Sequence, residues 1–268
     1  MRKYDCFTFL NGFDILKLRL SELADSIDWF VLVESTHTFQ GIPKPLYFKE
    51  NPITGYKIHH VIVEPRHVGP WLNKDELAWD NNKQQVADGY AIGLKDADAS
   101  DVGFFGDFDE IPRPSKLMEG PLDMPTVFKM DLYEYWLNMK VQAQVPATAR
   151  HLLGSAKANL QGAALTRFAG HEKYWVENGG WHLRSFGTPE LLYEKFIAYP
   201  EHAYTTFDSG KSNHSVADIE SYMHEGISLF TSSGRIYSFH SLEKDLPDVV
   251  LKNPKEWEML MHPDYRNN

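Results

Sequence analysis

The chain has one cysteine, Cys6, in 268 residues, so no disulfide can close within it, and a reducing compartment suits it. No apolar run approaches the length of a membrane span. The opening MRKYDCFTFLNGFD begins with Arg2 and Lys3 but breaks at Asn11, Gly12 and Asp14, before the apolar stretch that a signal peptide requires. Lysine and arginine never cluster into a block. Twenty-seven of them face 37 acidic residues, for a net charge of −10, which argues against nucleic acid or an anionic membrane as a partner. No internal repeat or low-complexity linker divides the chain. If the substrate is itself anionic, something local must overcome this background, and a divalent cation is the economical means.

What is present suits a folded α/β unit. Hydrophobic residues make up 43% and charged residues 24%, enough for a sizeable core and too apolar for disorder. Residues 4–10 read as a strand, and the segment after it carries Leu16, Leu20, Leu23 and Ile27 at helical spacing. The runs 29–35 and 58–64 are nearly continuous apolar stretches, as in strands covered on both faces. Residues 74–94 form a helical pattern with Trp79, Val86, Tyr90 and Leu94 on one side, and 101–107 reads as a short strand. This alternation predicts an α/β fold with a mostly parallel sheet flanked by helices. The second half is less regular. Residues 126–140 read as one long strand or two, and 166–187 mix aromatics, glycine and polar groups as site-forming regions do. Helices are expected over 188–199, with Thr188 as N-cap and Pro189 behind it, and over 215–227, capped by Ser215. The expectation is a single domain over 1–268, nucleotide-binding to about residue 125 and acceptor-binding beyond it.

The stretch FFGDFDEIPRP, residues 104–114, concentrates Asp107, Asp109 and Glu110 at the end of an apolar strand. In an extended strand exit, residues two apart point the same way. Asp107 and Asp109 would then share one focus, with Phe108 turned into the core. Ligands of α/β sheets gather at the carboxyl ends of strands. Paired carboxylates there suit Mg²⁺ or Mn²⁺, with positions left for phosphate oxygens. A D-x-D is ordinarily a solvated acidic turn, but the apolar strand before it and the stiffening Pro112 and Pro114 after it favour a site. An EF-hand is excluded, because Ile111 and Pro112 fall where an oxygen ligand and a glycine are required. A D-x-D phosphohydrolase of haloacid-dehalogenase type is the alternative enzyme, and a non-catalytic carbohydrate-binding domain the alternative outside enzymes.

The segments YDCFTFLNGFDILKLRLSEL, WFVLVESTHTFQGIPKPLYF, GDFDEIPRP, GGWHLRSFGTPELLYEKF and LPDVVLKNPKEW occur in order from Tyr4 to Trp257. Together they resemble glycosyltransferase family 17, the family of the N-acetylglucosaminyltransferases that add the bisecting residue to N-glycans. The resemblance implies a single-domain GT-A-like, Rossmann-type fold, a UDP-sugar donor, Mn²⁺ or Mg²⁺, a glycan acceptor and inversion at the anomeric carbon. It implies that Asp109 holds the metal, that Asp107 reaches the ribose or the metal, and that Glu110 contacts the donor sugar or braces the loop. The sequence shows neither the membrane anchor nor the stem of the animal bisecting enzymes. The expectation is therefore a soluble, cytoplasmic member of bacterial or viral type.

Other roles follow from that resemblance together with residue chemistry. An inverting transferase needs an acidic base, for which Glu190, Glu177 and Glu134 are candidates in that order. An acid in a first helical turn, as Glu190 is, also suits the helix dipole. His182, after two glycines that let backbone approach a ligand, is the first candidate for a further metal or diphosphate contact, and His240 the second. Among 12 histidines any one is more often structural. Glu34, Thr38 and Lys44 follow a buried strand and are candidates for the nucleotide, as are Asn11, Asn81 and Gln84. Trp175 and Trp181 can stack on sugar rings or simply fill core.

Overall fold

Strands that are apolar on both sides need a helix on each face. The computed structural model, which describes residues 1–69, 75–152, 173–199, 215–228 and 245–262, builds that arrangement. β1 (Lys3–Phe9) leads through α1 (Phe13–Leu23) to β2 (Trp29–Ser35). The one-turn α2 (Tyr47–Glu50), β3 (Ile58–Val63), α3 (Asp75–Gly93) and β4 (Val102–Asp107) follow. The second half adds β5 (Glu110–Pro112), β6 (Thr126–Glu134), β7 (Lys140–Leu152) and β8 (Tyr174–Arg184). It closes with α4 (Pro189–Ala198), α5 (Val216–Glu225) and α6 (Asp248–Lys252).

Among the described residues the strands form one sheet in the order β3-β2-β1-β4-β7-β6-β8-β5. β3, β2, β1 and β4 are mutually parallel. Beyond β4 the sheet is mixed: β7 is antiparallel to β4 and β6, β8 is parallel to β6, and β5 is antiparallel to β8. The α/β expectation holds.

Alternation along the strands sets the two layers. Phe7, Phe9, Phe30, Leu32 and Phe104 face α1, whose stripe of Leu16, Leu20 and Leu23 is fully buried among them. Tyr4, Cys6, Val31, Val33 and Phe105 face the other way, onto Tyr90 of α3 and Leu94 just past its end. A third cluster joins Leu132, Tyr135 and Met139 to Leu192 of α4 and to Ile219 and Met223 of α5. Both late helices start as read: the Thr188 hydroxyl accepts from the Leu191 N–H, and Ser215 and Asp218 form a capping box. No helix among the described residues is long and apolar enough to cross a membrane.

Of the two readings of residues 126–140, the two-strand one holds: they divide into β6 and the start of β7, with Tyr135 at φ 65 in the turn between them. One feature differs from the sequence reading. The two glycines before Trp181 serve strand packing rather than ligand approach. A Cβ on Gly180 would lie 2.2 Å from the Ile111 carbonyl oxygen and 2.8 Å from Pro112 Cα, and one on Gly179 would lie 2.5 Å from Phe128 Cβ. β8 can therefore press directly on β5 and β6. Because β5 follows the acidic stretch, this contact fixes where that stretch sits. Gly180→Ala is expected to lower stability by about 1–3 kcal/mol, as overpacking against backbone does. Urea denaturation reads the change, and an unaltered midpoint would contradict the packing described.

Candidate active site

In the parallel half the chain leaves β1 toward β2 on one side and reaches β4 on the other, so the topological switch lies between β1 and β4. Sheets of this kind bind ligands in the crevice beyond that point. A cleft of about 740 Å³ opens there. Residues 8–12 from the end of β1 onward, residues 106–110 from the end of β4 to the start of β5, His37–Phe39, Lys44 and one face of α3 line it. His182 and Arg184 of β8 and Leu191 and Lys195 of α4 close it. Among the described residues its lining holds five cations, Lys44, Arg66, Lys83, Arg184 and Lys195, against five acids, Asp80, Asp88, Asp107, Asp109 and Glu110. In a chain of net charge −10, this is a locally neutral place where an anionic ligand is not repelled.

The acidic stretch is a tight turn and not an extended exit. β4 ends at Asp107, residues 108 and 109 turn, and β5 begins at Glu110. The turn is braced from both sides. Within it, the Glu110 carboxylate accepts the Asp107 N–H at 3.0 Å. Beneath it, Arg19 Nη1 donates to the carbonyl oxygens of Asp107 (2.9 Å), Phe108 (3.1 Å) and Glu110 (2.7 Å). The same guanidinium grips the Asp5 carboxylate two-pronged, Nε to Oδ2 at 2.7 Å and Nη2 to Oδ1 at 2.6 Å, with both side chains fully buried. Neither Asp5 nor Arg19 figures in the sequence reading. Phe108 is half-buried: it packs edge-on to Phe9 at the margin of the core and also lines the cleft.

Asp107 is exposed to the cleft, whereas Asp109 is buried. Asp109 Oδ2 accepts from Lys195 Nζ at 2.8 Å, and its Oδ1 lies 3.8 Å from His182 Nε2. Burial lowers the pKa of the His182 imidazole, against the pull of Asp109 and Asp107. At neutral pH it is therefore uncharged, the form that ligates metals. Its other nitrogen, Nδ1, is buried without a hydrogen-bond partner. Among the described residues no three His, Cys, Asp or Glu side chains already converge as a metal cage. The donors nonetheless fit a hard divalent cation: Asp107 and Asp109 offer oxygen, His182 offers nitrogen, and phosphate oxygens can fill the remainder. Lys195 must leave Asp109 for this to happen.

The other expected site residues divide by position. Asn11, Thr38, Lys44 and Gln84 line the cleft with Asp107, Asp109, Glu110 and His182. Asn11 is held in place, its amide donating to Glu194 at 3.1 Å, and Glu194 also accepts the Tyr47 hydroxyl. Burial lowers the pKa of Lys44, although Glu34 lies 3.7 Å away and opposes the shift. Glu34 and Asn81 fasten loops outside the lining. Burial works against the charge on Glu34, but bonds from His60 at 2.9 Å and the Phe48 N–H at 3.1 Å outweigh it and lower its pKa. Asn81 ties the 36–44 loop to the 64–69 loop through Phe39 O, His67 O and His67 N.

None of the three acids expected as base lines the cleft. Glu190 is exposed at the start of α4, where its own backbone N–H and Thr188 keep its pKa low. Glu177 is exposed and pairs with Lys129. Glu134 is fully buried against Arg184 (2.8 Å) and Ser228 (3.1 Å). Trp181 is core, donating to the Asp245 carbonyl beneath the Arg113 guanidinium, and Trp175 is exposed away from the cleft. His240 lies outside the described residues.

The family model for glycosyltransferase family 17 matches residues 1–265. The chain belongs to glycosyltransferase family 17. This family 17 chain is 25% identical over 292 residues to the β-1,4-mannosyl-glycoprotein 4-β-N-acetylglucosaminyltransferase of Rattus norvegicus, covering 96% of this chain and 54% of that protein. It is 27% identical over 222 residues to the protein of the same name from Homo sapiens, covering 70% of this chain and 41% of that protein. The chain thus spans about half the length of the curated relatives it matches. Among solved structures, the inositol-1-phosphate CTP transferase from T. maritima aligns over 85% of this chain and 98% of that one, with a TM-score of 0.36 and 15% identity. That likeness is too loose to carry an argument. Membership of family 17 sets aside the haloacid-dehalogenase-type alternative.

Arg19→Met would strand the buried Asp5 carboxylate and release three carbonyls of the acidic turn. The expected loss is about 3–5 kcal/mol, the usual cost of removing one partner of a buried pair. Chemical denaturation measures it, and a loss below about 1 kcal/mol would show that the pair is not holding the turn.

Proposed function

We propose that this family 17 chain transfers a sugar, with N-acetylglucosamine the favoured choice, from a UDP-sugar to a glycan acceptor, with inversion and with a divalent cation at Asp107 and Asp109. The observation that carries this reading is the braced acidic turn at the switch-point cleft, in a lining whose cations balance its acids. The names of the relatives from Rattus norvegicus and Homo sapiens support the choice of sugar.

In this reading Asp107, Asp109 and neutral His182 hold the ion, which when bound neutralises charge on the departing diphosphate. Lys44 and Arg66, also in the lining, attract the phosphates. Asn11, its amide oriented by Glu194, and Thr38 and Gln84, which also line the cleft, would meet the nucleoside. The Arg19 contacts keep the turn from shifting as charge develops above it. Inverting transfer is one in-line displacement. The acceptor hydroxyl bonds to the anomeric carbon as the bond to the diphosphate oxygen breaks, and an ionised carboxylate acting as base takes the hydroxyl proton. Glu190, Glu177 and Glu134 lie outside the cleft, so none of them is assigned that proton here.

Asp109→Asn should reduce metal-dependent turnover of UDP-N-acetylglucosamine, read as transfer or slow hydrolysis, by at least about 100-fold. Its melting temperature should stay within about 2–3 °C of wild type, because the Lys195 it pairs with is partly exposed. Wild-type turnover in the variant would refute the assignment.

A further inference from the structure

We propose that Lys195 is an exchangeable counter-ion for Asp109: its ammonium holds the carboxylate while no metal is bound, and swings to donor phosphate oxygens when a divalent cation takes that carboxylate. The inference rests on the metal reading of Asp107 and Asp109 given above.

Three observations carry it. First, Lys195 Nζ lies 2.8 Å from Asp109 Oδ2, on the acid most expected to hold the metal. A carboxylate only 7% exposed requires a partner, and this one comes from 86 residues away. Second, the lysine is held at its root and reaches the cleft with its tip. Its chain neighbour Glu194 is fastened by Asn11 and Tyr47, which pins α4 to the end of β1 and to α2. The Lys195 side chain is 25% exposed, lines the cleft and places Nζ 5.4 Å from the Phe108 ring centroid. A four-carbon stem anchored this way can move its charge within the cleft and not out of it. Third, the pair leaves no comfortable place for a second cation. An ammonium at hydrogen-bond distance from Asp109 repels a divalent ion approaching the same carboxylate, so the two compete.

Exchange has a thermodynamic consequence. The metal must displace Lys195, and the displaced ammonium is then available to the diphosphate. Metal and nucleoside diphosphate should therefore promote each other's binding by more than their direct contact provides. A fixed structural ion pair would give no such coupling.

The test is a manganese titration of the full chain without nucleotide, following free Mn²⁺ by its electron paramagnetic resonance signal. It is followed by calorimetric titration with UDP, with and without saturating Mn²⁺. Lys195→Met removes the competitor and should bind Mn²⁺ about three- to tenfold more tightly than wild type, the range of one partly exposed ion pair. Lys195→Arg, which keeps the charge, should bind no more tightly than wild type. In Lys195→Met the gain in UDP affinity produced by Mn²⁺ should shrink. Lys195→Gln answers the same question should the methionine variant not fold. Mn²⁺ affinity unchanged or weakened in Lys195→Met, with wild-type binding abolished by Asp109→Asn, overturns the exchange alone. Absence of Mn²⁺ binding in the wild type, or binding that survives Asp109→Asn, overturns the metal reading and the exchange together.

Discussion

A single buried guanidinium connects the core of this protein to its chemistry. Arg19 neutralises Asp5 inside the sheet–helix interface and with its remaining nitrogen holds three carbonyls of the turn that carries Asp107, Asp109 and Glu110. A buried ion pair is poor evidence of net stability, because desolvating two charges offsets most of their attraction. What it provides here is position. Asp5 sits in β1 opposite Phe104 of β4, and Arg19 projects from α1, so strand, helix and turn share one fixed point. With its carbonyls committed downward, the turn presents its carboxylates upward to the cleft.

The charges above that point form a graded set. Glu110 is spent on the turn itself, bonded to the Asp107 N–H. Asp109 is buried and matched by Lys195, while Asp107 is exposed to the cleft. Among the described residues the surrounding lysines and arginines balance the acids of the cleft in an acidic molecule, so an anionic ligand meets no net repulsion from them. The sequence reading looked to a divalent cation for that task and named only Lys44 among the cations that line the cleft. The far wall comes from β8 and α4, which are placed by the close contact of Gly179 and Gly180 with β6 and β5.

The parallel half was legible because its physics is local. Strands covered on both faces are apolar throughout, and helices between them repeat at their own period, so β1 to β4 stand almost where periodicity places them. β5 was not legible, because Pro112 argues against a strand; it is tolerated at the sheet edge, where its missing N–H costs no ladder bond. The D-x-D was legible as a strand end, but its turn geometry was not, and Phe108 divides between the edge of the core and the cleft. Arg19 left a trace that a stricter reading would catch. It lies three residues after Leu16 and four before Leu23, on the buried stripe itself, while Asp5 alternates with Phe7 and Phe9 on the facing side of β1. A cation and an acid at two inward positions of adjacent elements call for each other. Lys195, Glu194 and Tyr47 left none, since their contacts join residues 86 and 147 apart.

The central claim is that the buried pair positions the acidic turn for its ligand. The double variant Asp5→Asn with Arg19→Met removes both charges without stranding either, and should still melt cooperatively. Calorimetric titration with UDP in the presence of Mn²⁺ should then show affinity at least about tenfold below wild type, because a turn released from its anchor no longer holds its carboxylates in place. Wild-type affinity in a folded double variant would mean that the turn keeps its shape unaided, and would contradict the account.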